Sequence, residues 1–372
     1  MESQYGAELR VAIAAVQRAA GISRSVLAAS EGVGVLQKED LSPVTVADFA
    51  IQALLAASIH ASFPDDGLVG EEDAADLRAH ETLLERVSEV LRRAVDDGSH
   101  DGPALGQALG TPERVCALID RCGTGVPLPP GSDGTTRVWV FDPIDGTKTF
   151  IRGEMYAINV ALLEGGRQVL SVVGLPLLSV DAEYPVSDQS IDPTGQGSLL
   201  FAVKGHGAYA RPLPGPVDAV PTRRIPRHAD AATSPQHLRS VTCSETQGSG
   251  LEAVHHAACA ALGVEYPGCD HVGWVPRWAA MALGLGNMTV WAYKSRARKA
   301  KVVDHAGAML LFEEVGGKIT DVDGKDVDLA AGRNMVANYG FVAAPEALHS
   351  TVLKALHEAL KDQGQLGSLG SN

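Results

Sequence analysis

The sequence has few cysteines and few aromatic residues. Among its 372 residues only five are cysteine, and 5% are Phe, Trp or Tyr. The cysteines number an odd total and form no C-x-x-C pair, which argues against a disulfide framework and against a cysteine zinc site. We expect reduced, structural thiols, as in a cytosolic protein.

Positive charge is also scarce. The chain carries 31 Lys and Arg against 45 Asp and Glu, a formal net charge of -14. Nucleic-acid binding depends on clustered basic residues, so we expect no nucleic-acid partner. An acidic protein still binds anions where metal ions or a local basic patch reverse the sign of the charge.

Long apolar runs are missing as well. The first residues lack a basic segment followed by an apolar core, and no unbroken run approaches the roughly 18 residues that cross a bilayer. We therefore expect no membrane partner and a cytoplasmic location. With 45% hydrophobic and 20% charged residues, the composition is that of a globular protein.

The length predicts more than one core, since single cores stop growing near roughly 250 to 300 residues. Helical periodicity over 7–29 and 45–60 precedes a series of strands joined by short turns, which indicates an antiparallel sheet. Six prolines between residues 211 and 235 suggest a boundary. We predict an α+β domain over 1–215 and a smaller α/β domain over 216–372, with strands near 318 and 334. The segments 97–111 and 123–136 are predicted to be a surface excursion.

The most informative stretch is WVFDPIDGTKTF, from Trp139 to Phe150. Pro143 fixes φ and Gly146 permits a tight backbone path, so Asp142, Asp145 and the Ile144 carbonyl can turn toward one point. Converging hard oxygen ligands suit Mg²⁺. The alternative is a plain turn, because Asp, Pro and Gly are common turn residues.

Two further acidic positions favour the metal interpretation. Glu71 and Glu72 follow a short apolar segment, and Asp304 opens an apolar helical run. Each has an ordinary explanation, a solvated loop or a helix N-cap. Together they would form a carboxylate cluster whose repulsion divalent cations would relieve.

These residues resemble the inositol monophosphatase superfamily. D-P-I-D-G-T at 142–147, G-E-E at 70–72 and D-H-A-G at 304–307 match its three metal-binding motifs in order. The flanks, with Lys148 and the run FIRGE after it, are most similar to the 3'(2'),5'-bisphosphate nucleotidase family. The resemblance implies a layered αβαβα fold of mixed α+β and α/β character, in which the first domain holds most metal ligands and the second supplies Asp304.

The resemblance also implies a set of roles. Two or three Mg²⁺ would be held by Glu71, Asp142, Asp304, Asp145 and the Ile144 carbonyl, with Asp142 bridging. Asp48 and Thr147 would orient and deprotonate the attacking water. The residues expected to contact substrate are Gly146, Thr147, Lys148, Arg277 and Lys301.

The implied activity is hydrolysis of the 3'-phosphate of adenosine 3',5'-bisphosphate, and of its sulfated form, by a monomer. An inositol polyphosphate 1-phosphatase or inositol monophosphatase activity is the alternative, and a silent metal-dependent binding protein is a rival of another class. Two positions depart from close relatives: Trp274 replaces a serine and Arg277 a lysine. The basic residues between 294 and 301 are either an anion-steering patch or a solvated loop.

Overall fold

The computed structural model describes residues 4–29, 34–37, 43–95, 102–129, 131–217, 219–245 and 249–365. Its α-helices are α1 Gly6–Ala28, α2 Val46–Ser62, α3 Ala75–Ala79, α4 Glu81–Val95, α5 Gly102–Ala108, α6 Pro112–Gly123, α7 Thr147–Ile151, α8 Glu252–Leu262, α9 Trp274–Ala282, α10 Ala308–Glu314 and α11 His349–Asp362. Short 3-10 helices lie at His228–Ala231, Pro235–His237, Val302–Asp304 and Glu346–Leu348.

The strands follow the chain as β1 Leu36–Gln37, β2 Pro43–Val44, β3 Gly67–Gly70, β4 Arg137–Asp145, β5 Ala157–Glu164, β6 Arg167–Leu175, β7 Ser198–Val203, β8 Gly207–Pro212, β9 Arg223–Arg224, β10 Val241–Thr242, β11 Cys269–Asp270, β12 Thr289–Trp291, β13 Gly317–Thr320 and β14 Phe341–Pro345. Strands β3 to β9 form a seven-stranded sheet in chain order, and β12, β14 and β13 form a three-stranded sheet.

The large sheet is antiparallel from β4 onward, as predicted, and tight turns join β5 to β6 and β7 to β8. Its first pair differs: β3 runs parallel to β4, with Gly70 opposite Phe141. A parallel pair needs a crossover, since a tight turn would reverse the chain. Residues 71–136, which carry α3 to α6, supply that crossover.

The elements stack in five layers. Helices α1 and α2 pack on one face of the large sheet, and α9 and α10 pack on the other. The three-stranded sheet follows, and α8 and α11 cover it. Each layer buries an apolar face against the next, which forms three hydrophobic clusters. The predicted αβαβα order is confirmed.

Some predictions fail where local pattern competes with tertiary packing. The strand predicted near 334 is wrong, because that segment only makes a bridge between Asn334 and Lys301 and the strand forms at Phe341–Pro345. The supposed excursion contains the helix α5, which packs on α2 and α4. The division at residue 215 stays a prediction, since α10 of the second half packs on β6, β7 and β8.

Helix α1 is strongly apolar, although charged and polar residues interrupt its apolar runs. By length and a mean hydropathy of 1.2 it could cross a bilayer. It packs instead on α2, β5 and β6, and residues such as Ala12, Val16 and Ala19 are fully buried there. The apolar residues of α1 are therefore explained by its packing on the sheet and on α2.

Candidate active site

A β-bulge places Asp142 and Asp145 on the same side of β4. Side chains three apart in a regular strand point to opposite faces, because the side-chain period is two. Here Asp142 pairs with Asn159 and Asp145 pairs with Ala157, so β4 has one more residue than β5 between the two pairs. The extra residue in the Pro143–Ile144 segment brings both carboxylates to one face. The segment from Asp142 to Asp145 is therefore a bulge that directs both carboxylates to one side, and not only a turn.

The parallel pairing of β3 and β4 brings Glu71 to the same end of the sheet. Gly70 and Phe141 are partners in the register, and the chain then continues into Glu71 on one strand and Asp142 on the other. Parallel strands end at the same edge, so these two carboxylates lie at one edge of the sheet. Glu71 and Asp142 are neighbours because β3 and β4 run parallel, although the two residues are far apart in the sequence.

Asp304 reaches the cluster from a turn held by Asn159. The Asn159 side-chain amide on β5 donates to the carbonyls of Val303 and Ala306, at 2.7 and 2.9 Å. This fixes the turn around Asp304 against the strand. One carboxylate oxygen each of Asp142, Asp145 and Asp304 lies within 4.8 Å of the others.

The electrostatics of this cluster are unfavourable for the protein alone. Burial raises the pKa of Asp142 and of Asp304 well above the usual range, and the neighbouring carboxylates act in the same direction. Burial likewise raises the pKa of Asp145 to about 7, even though the Val275 N–H donates to its Oδ2 at 2.6 Å and the Arg277 charge opposes the shift.

The donor set fits a hard divalent cation. The oxygen donors available at the cluster are the three carboxylates, with Glu71 and Ile144 lining the same cleft, and the described residues that line it include no cysteine or histidine. Like charges at this separation stay ionised together only when a cation compensates them. The raised pKa of each aspartate indicates that the protein's own cations compensate only in part.

Asp48 and Thr147 meet beside the cluster. Asp48 lies in the first turn of α2, where its Oδ2 accepts from the Thr45 N–H at 2.8 Å and from the Thr45 hydroxyl at 2.6 Å. The Thr147 hydroxyl is 3.4 Å from Asp48 Oδ1 and 3.1 Å from the Ile144 carbonyl. Asp48 and Thr147 are thus neighbours, and the role of Asp48 at the N-terminus of α2 does not by itself explain this contact.

Gly146 makes the tight junction between β4 and α7. Its φ is +90°, and a Cβ there would stand 2.7 Å from Thr149 Oγ1. The left-handed backbone at Gly146 lets α7 begin at Thr147, two residues after Asp145. The spacing of Asp145 and Thr147 depends on this glycine.

Across the cleft from the acids stands a wall of aromatic and cationic side chains. The Arg277 guanidinium carbon lies 4.2 Å from the Trp274 ring centroid and 4.7 Å from that of Trp291, and the two ring planes are at 83° to each other. Its Nε and Nη2 donate to the carbonyls of His271 and Val272, and among the described residues its buried Nη1 has no hydrogen-bond partner. Arg277 is thus a fixed cation packed against two indoles, and its contact with substrate stays a prediction.

His305, next to Asp304, belongs to this wall and not to the oxygen cluster. It is buried between Trp274 and Phe341, with ring centroids at 4.8 and 4.2 Å, and its Nδ1 accepts from the Trp278 indole at 3.1 Å. Burial lowers its pKa well below the usual range, so the ring is neutral. It acts as a packing group.

The two walls enclose a cleft of about 650 Å³. Lys148 and Lys301 line it, and Lys301 Nζ lies 3.0 Å from Glu71 Oε1. The charge of Glu71 raises the pKa of Lys301, which therefore stays protonated. The predicted site residues that line the cleft are Glu71, Asp142, Ile144, Asp145, Gly146, Thr147, Lys148, Arg277, Lys301 and Asp304.

Sequence reasoning missed the residues that hold the acids in place. Gln52 on α2 accepts from the Glu72 N–H and donates to the Glu72 carbonyl, at 2.8 and 2.7 Å. Arg333 donates to the Gly70 carbonyl at 2.6 Å. Asn159 does the same for the Asp304 turn. A polar residue inside an apolar helix or strand was the available signal for Gln52 and Asn159, whereas Arg333 had none.

Comparison with known proteins adds the family. A model of the inositol monophosphatase family matches residues 7–361. The chain belongs to that family. Solved structures of the family share its fold: an IMPase from Thermotoga maritima aligns with a TM-score of 0.58 at 17% identity, over 95% of this chain and 98% of its own. An IMPase/NADP phosphatase described as complexed with Mg²⁺ and phosphate aligns with the same TM-score at 16% identity, over 95% and 96%.

Curated members of the family at higher identity carry a narrower name. A 3'(2'),5'-bisphosphate nucleotidase of Emericella nidulans is 32% identical over 96% of this chain and 99% of its own length. One from Oryza sativa is also 32% identical, over 98% and 97%. Family members of both kinds therefore match the chain over nearly its whole length.

Proposed function

We propose that this protein is a Mg²⁺-dependent phosphomonoesterase that removes the 3'-phosphate of adenosine 3',5'-bisphosphate, giving AMP and phosphate. The observation that carries the proposal is the cluster of Asp142, Asp145 and Asp304 within 4.8 Å, beside a hydroxyl–carboxylate pair and opposite a cationic wall. A carboxylate cluster of this kind holds cations, and the cations hold a phosphate between them and the basic side chains.

The residues divide between two cations. Glu71, Asp142 and the Ile144 carbonyl would hold one Mg²⁺, and Asp142, Asp145 and Asp304 a second, with Asp142 shared. Bound there, Mg²⁺ supplies charge stabilisation on the phosphate and a lower pKa for the attacking water. Lys301 and Arg277 keep part of the carboxylate charge neutralised, as their effect on the pKa of Asp304 indicates.

Thr147 and Asp48 would handle the proton of the attacking water. The Thr147 oxygen can accept from water while its own proton points to Asp48 Oδ1, 3.4 Å away. Asp48 is held by two hydrogen bonds from Thr45, so its second oxygen stays aimed at Thr147. Attack on phosphorus then forms one P–O bond as the ester P–O bond breaks, and the departing 3'-oxygen takes up a proton to give the hydroxyl of AMP.

The choice of nucleotide over inositol phosphate rests on the relatives named bisphosphate nucleotidases and on Lys148 and the partly exposed Trp274 in the cleft. Flat indole faces suit a purine, whereas a cyclitol offers no π surface. Inositol polyphosphate 1-phosphatase or inositol monophosphatase activity is the alternative.

A phosphate-release assay decides between these activities. The purified protein with Mg²⁺ is given adenosine 3',5'-bisphosphate, its sulfated form, inositol 1,4-bisphosphate and inositol 1-phosphate, and kcat/KM is measured for each. We expect the highest value for the first compound. A strong preference for an inositol phosphate would reject the nucleotidase, and binding without release of phosphate from any of them would favour a silent binding protein. A cytoplasmic location and a monomeric state stay predictions.

A further inference from the structure

The basic segment from Lys294 to Lys301 carries five cations whose surroundings differ. Arg296 pairs with Asp323 and lies over the Tyr339 ring. Lys299 Nζ is 3.4 Å from the Asn338 carbonyl, and Lys301 pairs with Glu71. Within the described residues, Arg298 forms no ion pair, and yet it lines the cleft together with the aspartates.

Arg298 is exposed at the cleft and lies beside an aromatic ring. Its guanidinium lies 5.5 Å from the Tyr293 ring centroid, and Tyr293 is itself buried at the edge of Trp291 and Tyr339. The backbone N–H of Arg298 donates to the Ser295 carbonyl at 3.1 Å, which closes a turn. A guanidinium over an aromatic ring at this distance keeps its N–H groups available, and these can bind a phosphate in a bidentate way.

A substrate with two phosphates needs cationic groups in the cleft beyond those that the metal cluster would supply. A substrate with two phosphates places only one of them at the carboxylates, and the other must be neutralised elsewhere in a chain of net charge -14. Lys301 and Arg277 face the acids, as their interactions with Glu71 and Asp145 show. Three further cations line the cleft, Lys148, Lys299 and Arg298, and of these only Arg298 is a guanidinium, which can bind a phosphate through two N–H groups.

We propose that Arg298 binds the second phosphate of the substrate, the one that is not removed, and so sets a preference for doubly over singly phosphorylated substrates. The inference rests on the proposed function and goes further, since it assigns a specificity residue outside the set expected from the sequence. Trp291 and Tyr293 act as positioning residues for it through packing.

The test measures kcat/KM for a matched pair of substrates. Adenosine 3',5'-bisphosphate and adenosine 3'-monophosphate carry the same scissile phosphate, and only the first has a second phosphate. We expect Arg298→Ala to lower kcat/KM for the bisphosphate by roughly 10- to 100-fold, the range for loss of a charge-assisted hydrogen bond, and to leave the monophosphate close to wild type. Arg298→Lys keeps the charge and should recover part of the loss.

Lys294→Ala is the matched control. Lys294 is exposed, lies in the same segment and does not line the cleft, so its removal changes the net charge equally. We expect no change in either substrate. Equal losses for both substrates with Arg298→Ala would mean general steering, and no loss would mean a solvated side chain. Either result overturns the proposal.

Failure of the proposed function gives a different pattern. If the wild type prefers inositol phosphates, the same variants are measured with inositol 1,4-bisphosphate and inositol 1-phosphate. If it turns over no phosphomonoester, Kd values for the two adenosine compounds with Mg²⁺ replace kcat/KM. In each case a selective loss for the doubly phosphorylated ligand supports the role of Arg298, and its absence rejects that role.

Discussion

The two walls of the cleft are built by different means. On the acidic wall, the side chains that face the cleft are placed by local backbone features: a bulge in β4, a left-handed glycine and the shared edge of β3 and β4. On the cationic wall, Arg277 packs against Trp274 of α9 and Trp291 of β12, and Arg298 lies over the ring of Tyr293, which follows β12. Under the proposed function, the acids would carry the chemistry and these cations would set the choice of substrate.

The largest effect should come from the acidic wall. Asp145→Asn should lower kcat by roughly 1000-fold, because it removes a charged ligand from the cluster while an amide oxygen can still accept from the Val275 N–H. Phosphate release measures the loss, and thermal unfolding shows whether the fold is retained. Asp181→Asn, at an exposed ion pair with Arg223, is the control and should be silent. Wild-type-like turnover of the Asp145 variant would refute its role.

Thr147→Val should have the next largest effect. The substitution is nearly isosteric but removes the hydroxyl that joins Asp48 to the cleft, and we expect kcat to fall by roughly 100-fold with little change in KM. Thr147→Ser keeps the hydroxyl and should retain most of the activity. If the two variants behave alike, Thr147 has a packing role and the proton route is wrong.

Arg277→Lys tests the other wall through stability. A lysine keeps the charge but loses the planar guanidinium, which donates from Nε and Nη2 to two backbone carbonyls and packs on two indoles, so the free energy of unfolding should fall by about 2 kcal/mol. Denaturant unfolding measures this, while kcat at saturating Mg²⁺ should change less than in the Asp145 variant. A collapse of kcat without loss of stability would erase the distinction between the walls.

The smallest effect is the pH dependence of stability. The pKa of Asp145 is raised in the folded state to about 7, so the folded protein binds more protons than the unfolded chain from about pH 4 to 7. Without Mg²⁺ this contribution to stability is present at the acidic end and is lost as pH rises. The melting temperature with Mg²⁺ minus that with a chelator should therefore increase from about pH 5 to 7. A constant difference would contradict the cluster as a metal site, and Asp145→Asn should flatten the curve.

The sequence predicted the acidic wall far better than its counterpart. Asp142, Asp145 and Thr147 stand within six residues, so one motif brings them together. The layered fold and most strands of the large sheet also follow from periodicity and short turns. Gln52, Asn159 and Arg333 were missed, because their partners are backbone groups that become neighbours only after folding.

The cationic wall was harder to predict for a physical reason. Arg277 was expected to contact substrate, but the sequence did not predict that two of its donors bind backbone carbonyls or that it packs against Trp274 and Trp291. Stacking between side chains from α9 and β12 leaves no periodic trace in the sequence. The strand predicted near 334 failed similarly, since pairing with β12 and β13 selected the segment Phe341–Pro345.

The parallel pair β3 and β4 gives the long segment 71–136 a purpose. Suppose that an engineer shortened it to a hairpin in order to obtain a smaller enzyme. The first strand would then have to run in the opposite direction, and Glu71 would leave the sheet at the end far from Asp142. The helices α3 to α6 are thus the return path that lets both strands finish side by side, and a minimal version of this protein must retain a connection of that reach.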